Sequence, residues 1–287
     1  MNGYPAAEKF VRQAERIAEE LNKIGLKTDV VQNGQFPVSL TEKGEISLPT
    51  DGYAFCVFLD KDKYLGNMLA AQGLRLFNPP RAVEICDDKL STYLALQGAD
   101  VRLIQSIPAP LCYTQGATPN GKFLRQVADT LSFPLVAKLS YGSFGKGVRL
   151  IHGMDELYET ERAWLHSPHF YQHFIPTGGQ DVRVIVIGGK TVAAMTRTAK
   201  EGEFRSNVEL GGSCQKTVLT VEEEKTAITA AQTLGLDYCG VDLLRTDGGV
   251  AICEVNSNAF FEGIESATGV NVAALYANHI RNSLQNP

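Results

Sequence analysis

The chain has 287 residues, more than one hydrophobic core usually occupies, so two or three subdomains are expected. Its 44% apolar and 21% charged residues are ordinary for a globular protein, and a formal net charge of −5 argues against a general nucleic-acid-binding surface, though not against a local basic pocket. The longest apolar run, Tyr53 to Leu59, is too short to span a bilayer, and the N-terminus carries no charged-then-apolar signal segment.

In chain order, Phe10, Ala14, Ile17, Leu21 and Ile24 follow the 3–4 spacing of an amphipathic helix over residues 5–24, and Gly25 supplies a stop. A strand (Thr28–Gln32), an irregular polar segment, a second strand (Ala54–Leu59), a helix near 61–71 and a short strand (Arg75–Phe77) follow. This alternation is an open α/β unit with a parallel sheet. A helix at residue 5 leaves no room for the strand that normally opens such a unit, so the sheet should lack its first strand. Asn78-Pro79-Pro80 breaks the chain and marks a subdomain boundary. A helix over about 81–96 carries Lys89, and another, about 120–131, leads into the strand Leu135–Leu139. After a loop (140–147) come a strand (148–152), a helix (155–165), and strands to about 199. A small-residue loop (200–216), a helix (221–234), a hairpin and a closing helix near 270–284 complete the chain. The six cysteines (56, 86, 112, 214, 239 and 253) have no CxxC or pairing rhythm and read as reduced thiols of a cytoplasmic protein.

The hairpin Gly240–Asn256, GVDLLRTDGGVAICEVN, has the strongest chemical content. With a three-residue loop, 247–249, Leu244 faces Ile252, Asp242 faces Glu254 and Gly240 faces Asn256. Asp242, Glu254 and Asn256 then share a face. Facing carboxylates repel, so two of them with an amide oxygen call for a hard cation such as Mg²⁺, which keeps waters and takes substrate phosphates. A two-residue loop would shift the register and break this pairing, and a solvated acidic hairpin is the alternative.

Lys138 ends a strand immediately before YGSFGKGV, whose glycines 142, 145 and 147 let backbone close over an anion. No Ser or Thr follows Gly145-Lys146 and a strand rather than a helix comes next, so neither a Walker loop nor a dinucleotide fingerprint is present. What remains is a strand–glycine loop–strand flap of a kind that covers phosphates. The extended segment Gln172-His173-Phe174-Ile175, followed by a Pro-Thr-Gly-Gly bend and Asp181, can offer backbone groups to a purine. Arg197, Lys200, Arg205 and Asn207 form a cluster suited to phosphate or carboxylate oxygens.

Taken together, Lys89, Lys138 with GSFGKG, QHFI with Asp181, AKEGEFRSN, GVDLL and EVNSNAFFEGIE resemble the ATP-grasp superfamily, and within it the RimK-like α-L-glutamate ligases, over roughly residues 80–284. The resemblance implies an α/β (α+β ATP-grasp) architecture. It comprises an N-terminal α/β subdomain (1–80), a central subdomain with the glycine-rich flap (81–171) and a C-terminal subdomain with a metal site (172–287). It implies that Lys89 and Lys138 hold ATP phosphates under the loop with Gly142, Ser143, Gly145 and Gly147. Gln172, His173, Phe174 and Ile175 would line the adenine site and Asp181 would contact the ribose. Arg205, Ser206 and Asn207 would lie near the nucleotide, and Asp242, Glu254 and Asn256 would bind Mg²⁺, with two ions expected and Mn²⁺ a substitute. Arg197 and Arg205 would stabilise the transferred phosphoryl group, with Arg197 also placed to hold an acyl phosphate or amino-acid carboxylate. The implied activity is ATP-dependent joining of a carboxylate to an amine through an acyl phosphate. The amine would come from L-glutamate and the acceptor would be a peptide or small molecule, with neither nucleic acid nor membrane as partner. Homo-oligomers are common among such proteins. A ligase of coenzyme or amino-carrier biosynthesis with another acceptor, and a nucleotide-binding protein without turnover, are the other readings. The sequence departs from the family pattern at His173, where many relatives are acidic, and at Ser257–Phe261, which replaces a Ser-Pro-Gly run.

Overall fold

A computed structural model spans the chain and describes all residues except 5–6, 36, 144, 207–210 and 286–287. Helix α1 (Glu8–Lys23) turns Ala14, Ile17, Ala18 and Leu21 inward, as the spacing requires. The strand expected at Thr28–Gln32 does not form: this stretch has no ladder partner. Met1 lies beside it instead: its ammonium donates to the Val31 carbonyl at 2.8 Å, and its carbonyl accepts from Asn33 N–H at 2.8 Å. Strands β1 (Ser39–Leu40) and β2 (Ile46–Ser47) pair in a small antiparallel ribbon. Strand β3 (Phe55–Val57), helix α2 (Lys63–Ala71) and strand β4 (Arg75–Phe77) make one right-sized βαβ unit in which β3 and β4 are parallel. Residues 25–33, α1 and the β3 region line a cavity of about 320 Å³.

The break at Asn78 is not a free linker. Buried Asn78 donates from Nδ2 to the carbonyls of Tyr238 (2.7 Å) and Ser257 (2.8 Å), and its Oδ1 accepts from Tyr238 N–H (2.9 Å). The single helix expected over 81–96 is two, α3 (Pro80–Asp87) and α4 (Lys89–Ala95). Asp88 divides them: its backbone is extended, and its carboxylate accepts from Leu90 and Ser91 N–H, so it caps a new helix. This places Lys89 in the first turn of α4. The chain then forms β5 (Ser106–Pro108), α5 (Gly121–Leu131), β6 (Leu135–Leu139), β7 (Val148–Ile151), α6 (Met154–Trp164) and β8 (His169–His173). The four strands make an antiparallel sheet in the order β5-β8-β6-β7, packed on α5 and α6 through Leu124, Val127, Leu131, Leu157 and Trp164.

The rest of the chain comprises β9 (Gln180–Ile187), β10 (Lys190–Thr198), β11 (Ser213–Lys216), α7 (Val221–Thr233), β12 (Tyr238–Thr246), β13 (Gly249–Asn256), α8 (Glu262–Thr268) and α9 (Val272–Gln285). Strand β11 lies inside the stretch expected as loop, and the closing helix is preceded by the short α8. The five strands form a sheet in the order β11-β10-β9-β12-β13. Alternation along β9 divides its residues between two cores. Val182, Val184 and Val186 join Ala82, Cys86 and the alanines of α7, whereas Ile185 and Ile187 join α1 and α9. The first helix of the chain therefore packs into the same core as the last.

Candidate active site

The hairpin differs from the expected loop yet keeps the expected pairing. Its turn is two residues, Asp247-Gly248, so Leu244 faces Ala251 rather than Ile252, and Leu243 faces Ile252. A bulge at Cys253 then inserts one residue in β13, and the register returns to Asp242 opposite Glu254 and Gly240 opposite Asn256. The facing carboxylates survive because the bulge cancels the shorter turn.

Asp242 is one member of a charged stripe across the sheet. Asp181 and Arg183 lie two apart on β9, Arg197 faces Asp181 from β10, and Asp242 faces Arg183 from β12. Arg183 donates to Asp242 from Nε (2.7 Å) and Nη2 (2.6 Å). Arg197 donates from Nε to Asp181 Oδ1 (2.7 Å), and its Nη2 lies 2.8 Å from Asp242 Oδ2. Asp181, Arg197 and Asp242 are buried. Burial alone would raise the Asp242 pKa, but the two guanidinium groups outweigh it and hold the carboxyl below its ordinary value. Among the described residues no three His, Cys, Asp or Glu side chains gather as a metal cage. Two facing carboxylates with Asn256 nearby form an oxygen-only set that leaves room for waters and phosphate oxygens, and that fits Mg²⁺ rather than zinc.

Glu254 faces a cleft of about 130 Å³ between the two large sheets. Lys89 reaches it from α4, with Nζ 3.8 Å from Glu254 Oε1 and 2.7 Å from the Gly142 carbonyl it donates to. Burial, only partly offset by Glu254, lowers the Lys89 pKa. Lys138 enters from β6, Nζ 3.7 Å from Cys253 Sγ at the bulge. The loop 141–147 forms one wall. It is closed at its base where Leu139 N–H donates to the Gly147 carbonyl (2.8 Å), and it is tied to Arg205, which donates from Nη1 to the Gly145 carbonyl (2.8 Å). Arg205 is also bound to Glu203, and that hydrogen bond holds the Glu203 carboxyl at about 2. At Gly147 the backbone has φ +73°, and a Cβ would meet Leu139 Cδ1 at 2.7 Å. Two clustered lysines, an acidic pair and a backbone-rich flap make a cradle for a polyphosphate.

A family model described as RimK-like ATP-grasp domain matches residues 96–280. The chain belongs to this family. ATP-grasp enzymes use ATP and Mg²⁺, and the architecture agrees. D-alanine–D-alanine ligase from Bacillus anthracis complexed with ATP superposes with TM-score 0.73 at 19% identity, covering 99% of this chain and 96% of that one. The ATP-grasp ligase PsnB complexed with minimal precursor gives 0.72 at 19% identity, covering 98% and 97%. Among curated relatives, human Beta-citrylglutamate synthase B is 31% identical over 263 residues, 91% of this chain and 64% of that protein. A Probable alpha-L-glutamate ligase from Thioalkalivibrio sulfidiphilus is 46% identical over 150 residues, 51% of this chain and 50% of that protein. The chain thus spans about half to just under two thirds of the relatives it matches.

Within this ATP-grasp cleft the structure gathers Lys89, Lys138, Gly142, Ser143, Gly145, Gln172, His173, Phe174, Ile175, Arg205, Ser206 and Glu254. Gly147 holds the base of the flap. Asp181 and Arg197 lie behind the wall in the charged stripe, and Asn207 lies outside the described residues. The Gln172 side chain turns away into the sheet, donating to Tyr93 Oη (3.1 Å) and Ser106 Oγ (3.0 Å), so it offers the cleft its backbone. Sequence reasoning missed the apolar wall made by Ile104, Val136, Val148, Phe204 and Leu244, and it missed Arg183. Val136 was within reach, because it lies two residues before Lys138 on the same face of one strand. Arg183 carried the same signal relative to Asp181.

One substitution tests how closely the segment after Asn256 is held. A Cβ on Gly240 would lie 2.6 Å from Ala259 Cβ. Gly240→Ala is expected to destabilise the protein by about 1–3 kcal/mol through overpacking. A thermal melt checks this, and an unchanged Tm would show that residues 257–261 yield freely.

Proposed function

We propose that this protein is an ATP- and Mg²⁺-dependent carboxylate–amine ligase that uses L-glutamate as the amine. The observation that carries the reading is the meeting of Lys89, Lys138 and Glu254 in one flap-walled cleft, with Asp242 opposite Glu254 across the hairpin. Glutamate is the component shared by the names of both kinds of curated relative. The acceptor is a carboxylate of a peptide or small molecule. The N-terminal subdomain (1–80), central subdomain (81–171) and C-terminal subdomain (172–287) enclose the reacting groups.

In this reading the adenine lies against Val136, Ile104, Leu244 and Phe174, beside the backbone of 172–175, while Asp181, expected at the ribose, is held by Arg197 behind the wall. Lys89 and Lys138 neutralise phosphate oxygens from two sides. Gly142, Ser143, Gly145 and Gly147 bring the flap over them, and Arg205 and Ser206 close the phosphate end. Asp242, Glu254 and Asn256 would hold Mg²⁺, as two ions or with Mn²⁺ in its place, and the cation would offset charge on the β- and γ-phosphates. The acceptor carboxylate oxygen attacks the γ-phosphorus and ADP leaves, giving an acyl phosphate. The glutamate nitrogen then attacks the acyl carbon, releasing phosphate and a proton and leaving an amide. The residues contribute position and charge rather than covalent help. Arg197, expected at the transferred phosphoryl group, is bonded to Asp181 and Asp242 and in this reading positions Asp242 in the sheet. Segment 257–261 borders the acceptor, and α1 packs on it: Gln13 donates to the Ala259 carbonyl (3.2 Å), and the Phe10 and Phe260 rings meet edge-on at 5.0 Å. No helix among the described residues is long and apolar enough to cross a membrane. An enzyme that consumes ATP and has six cysteines, with no disulfide among the described residues, belongs in the reducing cytoplasm.

The test is acceptor-dependent ADP release with ATP, Mg²⁺, L-glutamate and a panel of carboxylates, with product masses read by mass spectrometry. The expected result is an amide of glutamate with one carboxylate class. Nucleotide binding without acceptor-dependent ADP would instead mark a binding protein, and turnover with another amine would reassign the substrate.

A further inference from the structure

Asp242 is shared by two guanidinium groups. Three guanidinium contacts occupy it: two from Arg183 and one from Arg197. A carboxylate offers about four acceptor positions, so a divalent cation arriving there meets an almost filled site. The two arginines are not equivalent. Arg197 keeps Asp181 as a second partner and its side chain is 4% exposed, whereas the Arg183 side chain is 15% exposed and has only Asp242 as hydrogen-bonding partner among the described residues. A dication sharing Asp242 repels the nearer, singly partnered guanidinium. Arg183 is then a partly buried cation without its counter-charge, which is costly until an anion replaces it.

The surroundings show which anion fits. Arg183 Nε lies 3.7 Å from where a Gly240 Cβ would stand, and that same position abuts Ala259 at 2.6 Å. The guanidinium thus lies within van der Waals reach of position 240, beside the segment that follows Asn256. Its planar fork matches a carboxylate with two parallel hydrogen bonds.

We propose that Arg183 couples the cation site to the amino-acid substrate: the divalent cation and the Arg183 guanidinium compete for Asp242, and the guanidinium released takes a carboxylate of the substrate amino acid. This rests on the reading of Asp242, Glu254 and Asn256 as cation ligands. Cation and amino acid then strengthen each other's binding, by the same factor in either order.

The test uses Mn²⁺ as probe, followed by electron paramagnetic resonance, and L-glutamate binding followed by calorimetry with and without Mn²⁺. Arg183→Gln, which removes the competitor, is expected to bind Mn²⁺ about 5–10 times more tightly. It should lose the enhancement of glutamate binding by Mn²⁺ and raise the KM for glutamate roughly 10–100-fold, with the KM for ATP unchanged. Arg183→Lys, which keeps charge but not the fork, should fall between, and it gives the same readout if the Gln variant fails to fold. A purely structural role would weaken Mn²⁺ binding in both. Unchanged or weaker Mn²⁺ binding in the Arg183 variants, with binding abolished in Asp242→Asn, overturns the competition and leaves the cation site standing. Full Mn²⁺ binding in Asp242→Asn overturns the cation site itself, and the proposal with it.

Discussion

Glu254→Gln should lower the rate of acceptor-dependent ATP turnover by about two to three orders of magnitude while leaving the fold intact. The size follows from the loss of one preorganised charge contact to developing phosphoryl charge, worth roughly 3–4 kcal/mol by comparison with loss of a single oxyanion donor. Retention of the fold follows from the surroundings. The Glu254 side chain is 30% exposed and its only ion pair among the described residues, to Lys89, is 3.8 Å long, so its removal leaves no tightly bonded partner among them stranded. Asp242→Asn is the poorer probe, because it also strips the counter-charge from Arg183 and removes one of the two carboxylates that Arg197 bridges, and its loss of activity would be mixed with loss of stability. Steady-state ADP release with a melting curve on the same sample separates the two. Turnover within about threefold of wild type in Glu254→Gln would remove Glu254 from the phosphoryl-transfer machinery.

How much of this was legible beforehand depends on whether the deciding signal was local. The Asp242–Glu254 pairing was read from a hairpin with the wrong loop length, and it held because the Cys253 bulge restored the register. Nothing in VAICEVN announces a bulge, since no glycine or proline stands there; it is set by how β13 packs. The break at Asp88 was local and readable, because an aspartate two residues before Leu90 is a capping residue in ordinary helix grammar. Thr28–Gln32 has strand-forming composition, yet a strand needs a neighbour, and the stretch meets a cavity and Met1 instead. The apolar wall of the cleft needed tertiary knowledge: Ile104, Val136, Phe204 and Leu244 come from four separate stretches, and each reads alone as an ordinary core residue. Lysines and glycines stood out because they are unusual at strand ends, so the sequence pointed to the flap side of the cleft and to the extended backbone of 172–175, but not to the apolar residues that complete the wall.

Arg197→Ala should cost about 3–5 kcal/mol of stability, a large part of the roughly 5–15 kcal/mol that holds an ordinary domain together. Arg197 is 3% exposed and bonded to two buried carboxylates, so its removal leaves Asp181 unpaired and Asp242 with Arg183 alone. The pH dependence distinguishes lost charge from lost packing. In the intact protein the Asp242 pKa lies below its ordinary 3.8 despite burial, because Arg183 and Arg197 outweigh desolvation. A depressed carboxyl contributes stability above the unfolded pKa and loses it as pH falls through the folded one, so the stripe stabilises wild type at neutral pH and fails only in strong acid. In the variant, burial of Asp242 is opposed by one guanidinium fewer, its carboxylate becomes easier to protonate, and protonation relieves the penalty. The gap in Tm between wild type and Arg197→Ala should therefore be widest near pH 7 and narrow toward pH 4. Arg197→Lys should recover part of it, since a point charge can meet either carboxylate but cannot bridge both as the guanidinium fork does. A gap that stayed constant over that range would mean that the side chain's bulk, not its charge, is what the sheet loses.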